Sequence, residues 1–197
     1  MTAFTGNRVV RDTGAEIPIC NAPIGYFARS SLVGAVAASG AVGLMEANST
    51  GPEKSQLELD KIRARTDRPV GLHLLLRTLT GRGLIDEVLD WALGQTRFIT
   101  SGSGKPDRIA PRVHDAGAVL YHQVGSVDEA CKAVDAGADG LIVEGAEAAA
   151  CAVSGRCTSS RCCKRSAPGL TCRSWPPAAS STATAWPAPS PAAPRAS

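Results

Sequence analysis

The feature that most constrains the fold is a regular alternation of short apolar runs with helical segments between residues 17 and 148. The apolar runs are continuous and do not alternate with polar residues, which is typical of strands buried on both faces of a parallel sheet. The segments between them carry helix signals, such as Pro52 near a first turn. This alternation predicts a parallel sheet whose strands are joined by right-handed helical crossovers.

Six apolar runs are predicted strands: IPICNAP, AVGLMEA, RPVGLHLLL, RFITSG, AVLYHQV and DGLIVEG. The five predicted helices lie in SSLVGAVAASG, GPEKSQLELDKIRARTD, GLIDEVLDWALGQ, KPDRIAPRVHDAG and SVDEACKAVDAGA. Ser30 or Ser31 is the expected N-cap of the first helix and Gly40 is its expected end. Pro111 is expected to break the fourth helix.

The repeat length favours the βα units of a barrel. Each strand and helix together occupy about two dozen residues, which is too long for most solenoid repeats. A closed (βα)8 barrel normally needs roughly 250 residues, so the expected fold is α/β, an incomplete TIM barrel of about six units. A doubly wound sheet is the alternative. The expected divisions are an N-terminal extension at 1–16, the barrel at 17–148 and a tail at 149–197.

The tail differs from the barrel in charge and in apolar content. All 18 acidic residues lie at or before Glu147, and the six basic residues after Ala150 have no acidic counterpart. The net charge of +3 therefore comes from the tail and does not indicate nucleic-acid binding. From Cys151 onward there is one Leu, one Val and no Ile, Phe, Tyr or Met. Such a segment buries too little apolar surface to fold, and disorder is expected.

Two other interpretations of the tail use its cysteines and its codons. Four cysteines could be metal ligands, but they form no CxxC pair and no histidine follows, so no metal is predicted. Alternatively, the tail can be translated in the neighbouring frame. Residues 148–153 then give Gly-Gly-Val-Arg-Gly, and residues 174–187 give a second segment that contains Gly-Gly. We hypothesise that the reading frame shifts near Ala148.

The barrel portion has the character of a cytoplasmic protein. Only Cys20 and Cys131 precede the tail, and two widely separated cysteines fit a reducing compartment. The N-terminus lacks the apolar core of a signal peptide, and no apolar run is long enough to cross a bilayer. We expect neither a membrane partner nor a nucleic-acid partner.

Four segments resemble those of the nitronate monooxygenase family, also called 2-nitropropane dioxygenases. The first strand ends in Ala22-Pro23-Ile24, and the second unit carries a glycine-rich segment at 39–44. The third strand contains Gly71-Leu72-His73, and the sixth continues into Gly145-Ala146-Glu147-Ala148. The resemblance covers roughly residues 17–148. Flavin-dependent enoyl reductases and the IMP dehydrogenase group share some of these features.

The resemblance implies FMN bound over the carboxyl-terminal mouth of a TIM barrel. It also implies oxidation of a nitronate by O2, through the flavin, to a carbonyl compound and nitrite. The flavin supplies the redox chemistry, and the protein positions it. The residues that the resemblance and the strand ends place near the cofactor are Ala22, Pro23, Ile24, His73, Ser101, Glu144 and Gly145.

The chain departs from the family pattern after Ala148. In the family, the glycine turns that follow strands six and seven hold the FMN phosphate, and a Gly-Gly-His histidine is usually taken as the catalytic base. The match stops at Ala148, so both turns and that histidine are missing from the chain as translated, and the shifted frame gives Val at the histidine. The catalytic residue is therefore not assigned. We expect this chain to be inactive as translated, or to be a non-catalytic remnant of such an enzyme.

Overall fold

The computed structural model describes residues 4–144 of the chain. The predicted tail, the cysteines within it, Gly145 and the proposed frameshift lie outside these residues. Within them, the strands are β1 (Gly43–Glu46), β2 (Val70–Leu75), β3 (Phe98–Gly102), β4 (Val119–Val124) and β5 (Gly140–Val143). The helices are α1 (Arg8–Thr13), α2 (Ser30–Ala38), α3 (Gly51–Arg63), α4 (Leu76–Gly81), α5 (Ile85–Leu93), α6 (Ala110–Asp115) and α7 (Val127–Asp135), with a 3₁₀ turn at Pro106–Arg108.

The five strands form one parallel sheet in the order β1-β2-β3-β4-β5. Each strand is hydrogen-bonded to the next strand along the chain, which is the topology of successive βα units. This part of the chain is an incomplete TIM barrel, as the sequence predicts. No helix within residues 4–144 combines the length and the apolar character that a bilayer span requires.

The predicted first strand is not a strand in the structure. Its only ladder contact is a parallel bridge between Cys20 and Val42, in which the Val42 amide donates to the Ile19 carbonyl. The Ile19 amide is used locally because it donates to the carbonyl of Ile17 at 2.8 Å. Pro18 offers no amide proton, so a regular ladder cannot extend through it. Asn21 replaces part of the ladder by exchanging two hydrogen bonds with the backbone of Leu44.

Three predicted helix signals have different roles in the structure. The N-cap of α2 is Arg29 and not a serine, and the Ser30 amide donates instead to the Glu58 carboxylate of α3 at 3.0 Å. Pro111 lies in the first turn of α6, where its missing amide proton costs nothing, so it begins this helix and does not break it. Gly40 does follow the end of α2, with φ of +85°.

Helices α1 and α4 were not predicted. Helix α1 lies in the expected extension, and Asn7 caps it by accepting from the Val9 and Val10 amides. Its Val9 packs against apolar residues at the amino ends of the strands, and its Asp12 accepts a hydrogen bond from Tyr121. Helix α1 therefore covers the amino-terminal end of the sheet. The extension is part of the fold.

The strand register divides the sheet into two faces. Residues on the outer face pack against the helices in the main hydrophobic core; they include Met45, Leu72, Leu74, Ile99 and Leu120. Residues on the opposite, inner face include Leu44, Glu46, Gly71, His73, Phe98, Thr100, Tyr121 and Gln123. In a closed barrel the inner face lines the interior. The polar side chains of the inner face lie toward the carboxyl ends of the strands.

Candidate active site

A group of polar side chains lies on the inner face at the carboxyl ends of the strands. We call it the mouth cluster, and it consists of Glu46, His73, Thr100, Gln123 and Glu144. Each side chain comes from a different strand or strand end, from β1 to β5 in order. Parallel strands bring their carboxyl ends to one edge of a sheet, so residues far apart in sequence converge there.

His73 and Thr100 form a buried pair in the centre of the cluster. They are register partners on β2 and β3, and His73 Nδ1 lies 2.8 Å from Thr100 Oγ1. Both side chains are almost completely buried. Burial is the main cause that lowers the pKa of His73 to about 4, and the His122 ring lowers it further. At neutral pH the His73 imidazole is therefore uncharged.

Gln123 and Glu144 form a second pair beside the first. The Gln123 side-chain amide donates to Glu144 Oε2 at 2.5 Å. The Glu144 amide donates to the Val124 carbonyl, which holds the residue directly after β5. The expectation from sequence that Glu144 ends an apolar strand agrees with this position, and its place near the cofactor stays a prediction.

Gly102 packs closely against both pairs. A Cβ at this position would lie 3.0 Å from Gln123 Oε1 and 3.6 Å from His73 Cε1. The absence of a side chain thus lets the Gln123 carboxamide and the His73 imidazole approach the backbone of β3 from either side. Two neutral groups that can form hydrogen bonds therefore lie on either side of Gly102.

Glu46 has a structural role at the edge of the cluster. Its carboxylate accepts hydrogen bonds from Arg29 Nη2, the Asn48 amide and Ser49 Oγ. With these three partners a buried carboxylate is well compensated and has little capacity left for a ligand. The contacts join the loop after β1 to the segment that begins α2.

The predicted Ala22-Pro23-Ile24 segment lies in the loop before α2. The Ala22 carbonyl accepts from the Ile24 amide at 2.9 Å, and Asn21 anchors the segment to β1. The Ile24 side chain is 54% exposed. The backbone of this loop is held in place, whereas its apolar side chains are not covered by residues 4–144.

The prediction that Ser101 faces the cavity is wrong. Ser101 is the register partner of Leu74 and His122, on the outer face, and its hydroxyl lies 2.8 Å from His122 Nδ1. Side chains alternate between faces along a strand, so Ser101 points away from its neighbours Thr100 and Gly102. His122 also lies on the outer face.

The sequence analysis did not single out Glu46, Thr100 or Gln123. Glu46 ends an apolar run, which is the same signal that indicated Glu144. Thr100 and Gln123 carry no local signal, because only the register tells which of two successive residues faces inward. No group of three or more His, Cys, Asp or Glu side chains within residues 4–144 is placed to hold a metal ion.

Parallel βα units with a polar mouth at their carboxyl ends define the class as TIM-barrel proteins, whose active sites lie at that face. The chain belongs to the nitronate monooxygenase family, whose model matches residues 8–151. The members of this family are oxidoreductases that use a flavin. The match confirms the resemblance that the sequence motifs indicated.

Individual relatives are more distant. The chain is 25% identical over 134 residues to (3aS,4S,5R,7aS)-5-hydroxy-7a-methyl-1-oxo-octahydro-1H-indene-4-carboxyl-CoA dehydrogenase from Mycobacterium tuberculosis (strain ATCC 25618 / H37Rv), covering 68% of this chain and 37% of the relative. FabK from Thermotoga maritima has a similar structure, with a TM-score of 0.63 and 23% identity over 71% of this chain and 44% of FabK. Nitroalkane oxidase from Streptomyces ansochromogenes gives a TM-score of 0.61 and 21% identity over 71% of this chain and 49% of that structure. The chain therefore spans less than half the length of each.

Proposed function

We propose that the mouth cluster is the ring-binding part of an FMN site in an oxidoreductase that oxidises nitronates. The observation that carries the proposal is the convergence of two neutral hydrogen-bonding groups, the His73 imidazole and the Gln123 carboxamide, beside Gly102 on the inner face. The edge of a flavin ring presents alternating hydrogen-bond donors and acceptors. Neutral groups that both donate and accept suit such an edge better than a fixed charge does.

The residues of the mouth cluster have different roles in binding the ring. His73 has its Nε2 available for a ring atom, because Nδ1 is engaged by Thr100. Gln123 uses its amide group on Glu144, so its Oε1 beside Gly102 can accept a hydrogen bond from a ring N–H. The backbone of Ala22-Pro23-Ile24 would border the ring from the other side of β1. When bound, the flavin supplies the electron transfer from the nitronate to O2, which yields a carbonyl compound and nitrite.

The described residues suit the ring but contain no site for the phosphate. A flavin phosphate needs several converging backbone N–H groups, such as those of glycine turns or helix N-termini. The expected first turn begins at Gly145, outside the described residues, and the second is absent from the sequence. We therefore propose that this chain binds FMN weakly and is inactive as translated. A small-molecule substrate, O2 as its co-substrate and a cytoplasmic location are parts of the same proposal.

A comparison of FMN with riboflavin, which lacks the phosphate, tests the proposal on the full chain. Each charge-assisted hydrogen bond to a phosphate contributes about 1.5–3 kcal/mol, or roughly tenfold or more in affinity. We expect the two dissociation constants, measured by flavin fluorescence, to agree within about threefold, because only the ring is held. Nitrite release from a nitronate should stay at the level of free flavin.

A variant pair provides the control for this measurement. Gly102→Ala places a methyl group 3.0 Å from Gln123 Oε1, so the carboxamide must move, and this is expected to weaken riboflavin binding about tenfold or more. Ser101→Ala, the neighbouring position on the outer face, should bind riboflavin like the parent chain. FMN binding at least tenfold tighter than riboflavin would contradict the absence of a phosphate site. Equal binding by both variants would contradict the location of the ring.

A second candidate function is the dehydrogenation of a CoA thioester. It is favoured by the match to the mycobacterial dehydrogenase, whose name gives a carboxyl-CoA compound as its substrate. A related flavin barrel of the enoyl reductase or IMP dehydrogenase type would share the same mouth. Assays of the repaired full-length gene with a nitronate and with acyl-CoA thioesters would distinguish these chemistries.

The frameshift hypothesis belongs to the same proposal. It concerns residues after Ala148, which the structure does not describe. Resequencing the DNA from the codon of Gly145 to that of Trp175 tests it directly. A gained or lost base would support a full-length flavin enzyme as the parent gene, and an unchanged sequence would support a non-catalytic remnant.

A further inference from the structure

The Thr100 and His73 side chains are hydrogen-bonded to each other and, among the described residues, to no other side chain. The Thr100 hydroxyl is buried, and its partner is His73 Nδ1. His73 Nε2 has no hydrogen-bond partner within residues 4–144. The Cε1 atom, which lies between the two ring nitrogens, would be 3.6 Å from a Cβ at Gly102. Thr100 thus engages one nitrogen of the ring and leaves the other for a ligand.

The positions of the two protons follow from hydrogen-bond accounting. A threonine hydroxyl has one proton, and a neutral imidazole has a proton on only one of its nitrogens. If His73 donated from Nδ1, the Thr100 proton would be buried without an acceptor, which is costly. If Thr100 donates to Nδ1, its proton is used and the ring proton lies on Nε2. The second arrangement satisfies the Thr100 hydroxyl and Nδ1, and it leaves the Nε2 proton for a ligand.

The charged groups around His73 do not oppose this assignment. Glu46, its register partner on β1, is already paired with Arg29. On the outer face of the sheet, His122 is occupied by Ser101. Burial lowers the pKa of both histidines, so neither ring is a cation at neutral pH. No carboxylate among the described residues is hydrogen-bonded to the His73 ring.

We propose that Thr100 is a positioning residue that donates its hydroxyl proton to His73 Nδ1 and thereby holds the proton of His73 on Nε2, as a donor to an acceptor atom of the bound flavin ring. The proposal rests on the proposed function for the identity of the ligand. Thr100 itself does not touch the ligand. Its effect is to select one of two imidazole tautomers, since the other would present a lone pair to the same ligand atom.

Nitrogen NMR of the flavin-free full chain tests the first half of the proposal. The chain has three histidines, so a sample with 15N-labelled histidine gives few signals. The two ring-nitrogen signals that disappear in His73→Asn are those of His73. We expect Nδ1 of His73 to be unprotonated and Nε2 to carry the proton. Thr100→Val keeps the shape but removes the hydroxyl, and it should raise the Nδ1-protonated fraction several-fold. Thr100→Ser should restore the parent pattern, and Ser101→Ala should disturb only His122.

Riboflavin titration of the same variants tests the second half. Thr100→Val should weaken riboflavin binding about five- to tenfold, because the ring proton is no longer held on Nε2 and about one net hydrogen bond to the ligand is lost. The affinity of Thr100→Ser should stay within about twofold of the parent chain. A parent His73 protonated on Nδ1, or an unchanged tautomer in Thr100→Val, would overturn the proposal. If the parent chain binds no riboflavin, the proposed function fails, and the NMR result still decides whether Thr100 sets the tautomer.

Discussion

At the scale of single residues, two histidines on the strands that flank β3 have the same kind of partner on opposite faces of the sheet. His73 pairs with Thr100 on the inner face, and His122 pairs with Ser101 on the outer face. Thr100 and Ser101 are adjacent in sequence, so their opposite orientations follow from the pleat of β3. Only the inner pair is positioned to meet a ligand at the mouth.

The buried His73 predicts that acid destabilises the fold. Its pKa is 6.5 in the unfolded chain and about 4 in the folded chain, so between these values the unfolded chain binds more protons. The contribution of His73 to stability is therefore complete above pH 6.5 and is lost as the pH falls toward 4. A shift of this size corresponds to about 3 kcal/mol at most.

Urea unfolding at a series of pH values between 7 and 4 measures this effect. His73→Asn retains an acceptor near the position of Nδ1 but does not titrate in this range. We expect the free energy of unfolding of the variant to fall less steeply with acid than that of the parent chain. The pKa of His122 is also lowered by burial, and His122 is present in both proteins. The difference between the two pH curves therefore isolates His73. Parallel pH curves would refute this prediction.

At the scale of elements, a contact with a neighbouring helix takes the place of a local capping residue. Helix α2 begins without a capping side chain of its own, and the Glu58 carboxylate of α3 accepts its Ser30 amide. The Lys61 ammonium and the contacts to Ser30 lower the pKa of Glu58 to about 2, so this carboxylate stays ionised at ordinary pH. A helix cap supplied by another helix cannot be recognised from the residues next to the cap.

Close packing on the inner face predicts that Gly71 cannot be replaced without cost. A Cβ at Gly71 would lie 2.7 Å from Phe98 Cδ1 and 3.0 Å from Leu44 Cδ1. The Phe98 ring is held edge-on against Tyr121, so it has little freedom to move away. Gly71→Ala should reduce the free energy of unfolding by about 1–3 kcal/mol through overpacking.

Gly81 provides the matched control for this substitution. It ends α4, and a Cβ there would meet no atom within 4 Å. Gly81→Ala should leave stability unchanged or raise it by up to about 1 kcal/mol, because alanine loses less backbone entropy on folding. Chemical denaturation of both variants gives the comparison. Similar stabilities would show that the inner face tolerates an added methyl.

At the scale of the whole molecule, the described part of the barrel has apolar side chains that nothing within residues 4–144 covers. They concentrate in the loop before α2, where Ile24, Tyr26 and Phe27 are 54%, 77% and 73% exposed. The neighbouring segment around Cys20 makes only one bridge to the sheet. Exposed apolar groups beside an incompletely paired sheet edge favour association between molecules.

Replacing two of these side chains should therefore reduce self-association. We expect the purified parent chain to form concentration-dependent oligomers or aggregates, measured by light scattering after size-exclusion chromatography. The double variant Ile24→Lys and Phe27→Lys should shift this distribution toward monomers, because lysine keeps the loop solvated. Phe4→Lys, an exposed apolar position before α1, serves as the control and should change little. A monomeric parent chain would contradict the prediction.

The sequence by itself determined the class of fold and the end of the sheet where a site is expected. Continuous apolar runs separated by helical segments permit few architectures other than parallel βα units, so the five strands and most helices were predictable. The position of Glu144 directly after a strand was predictable for the same reason, whereas His73, expected at a strand end, is followed by two further residues of β2. These features depend on short-range periodicity, which the local sequence carries.

The tertiary structure decided which side chains share a face and which distant groups complete each element. The pleat and register put Thr100 inside and Ser101 outside, although no local pattern distinguishes them. Helix α1 became part of the fold because its Val9 and Asp12 meet the amino ends of the strands. Such contacts join residues more than a hundred positions apart, as Asp12 and Tyr121 do, so only the assembled chain contains them.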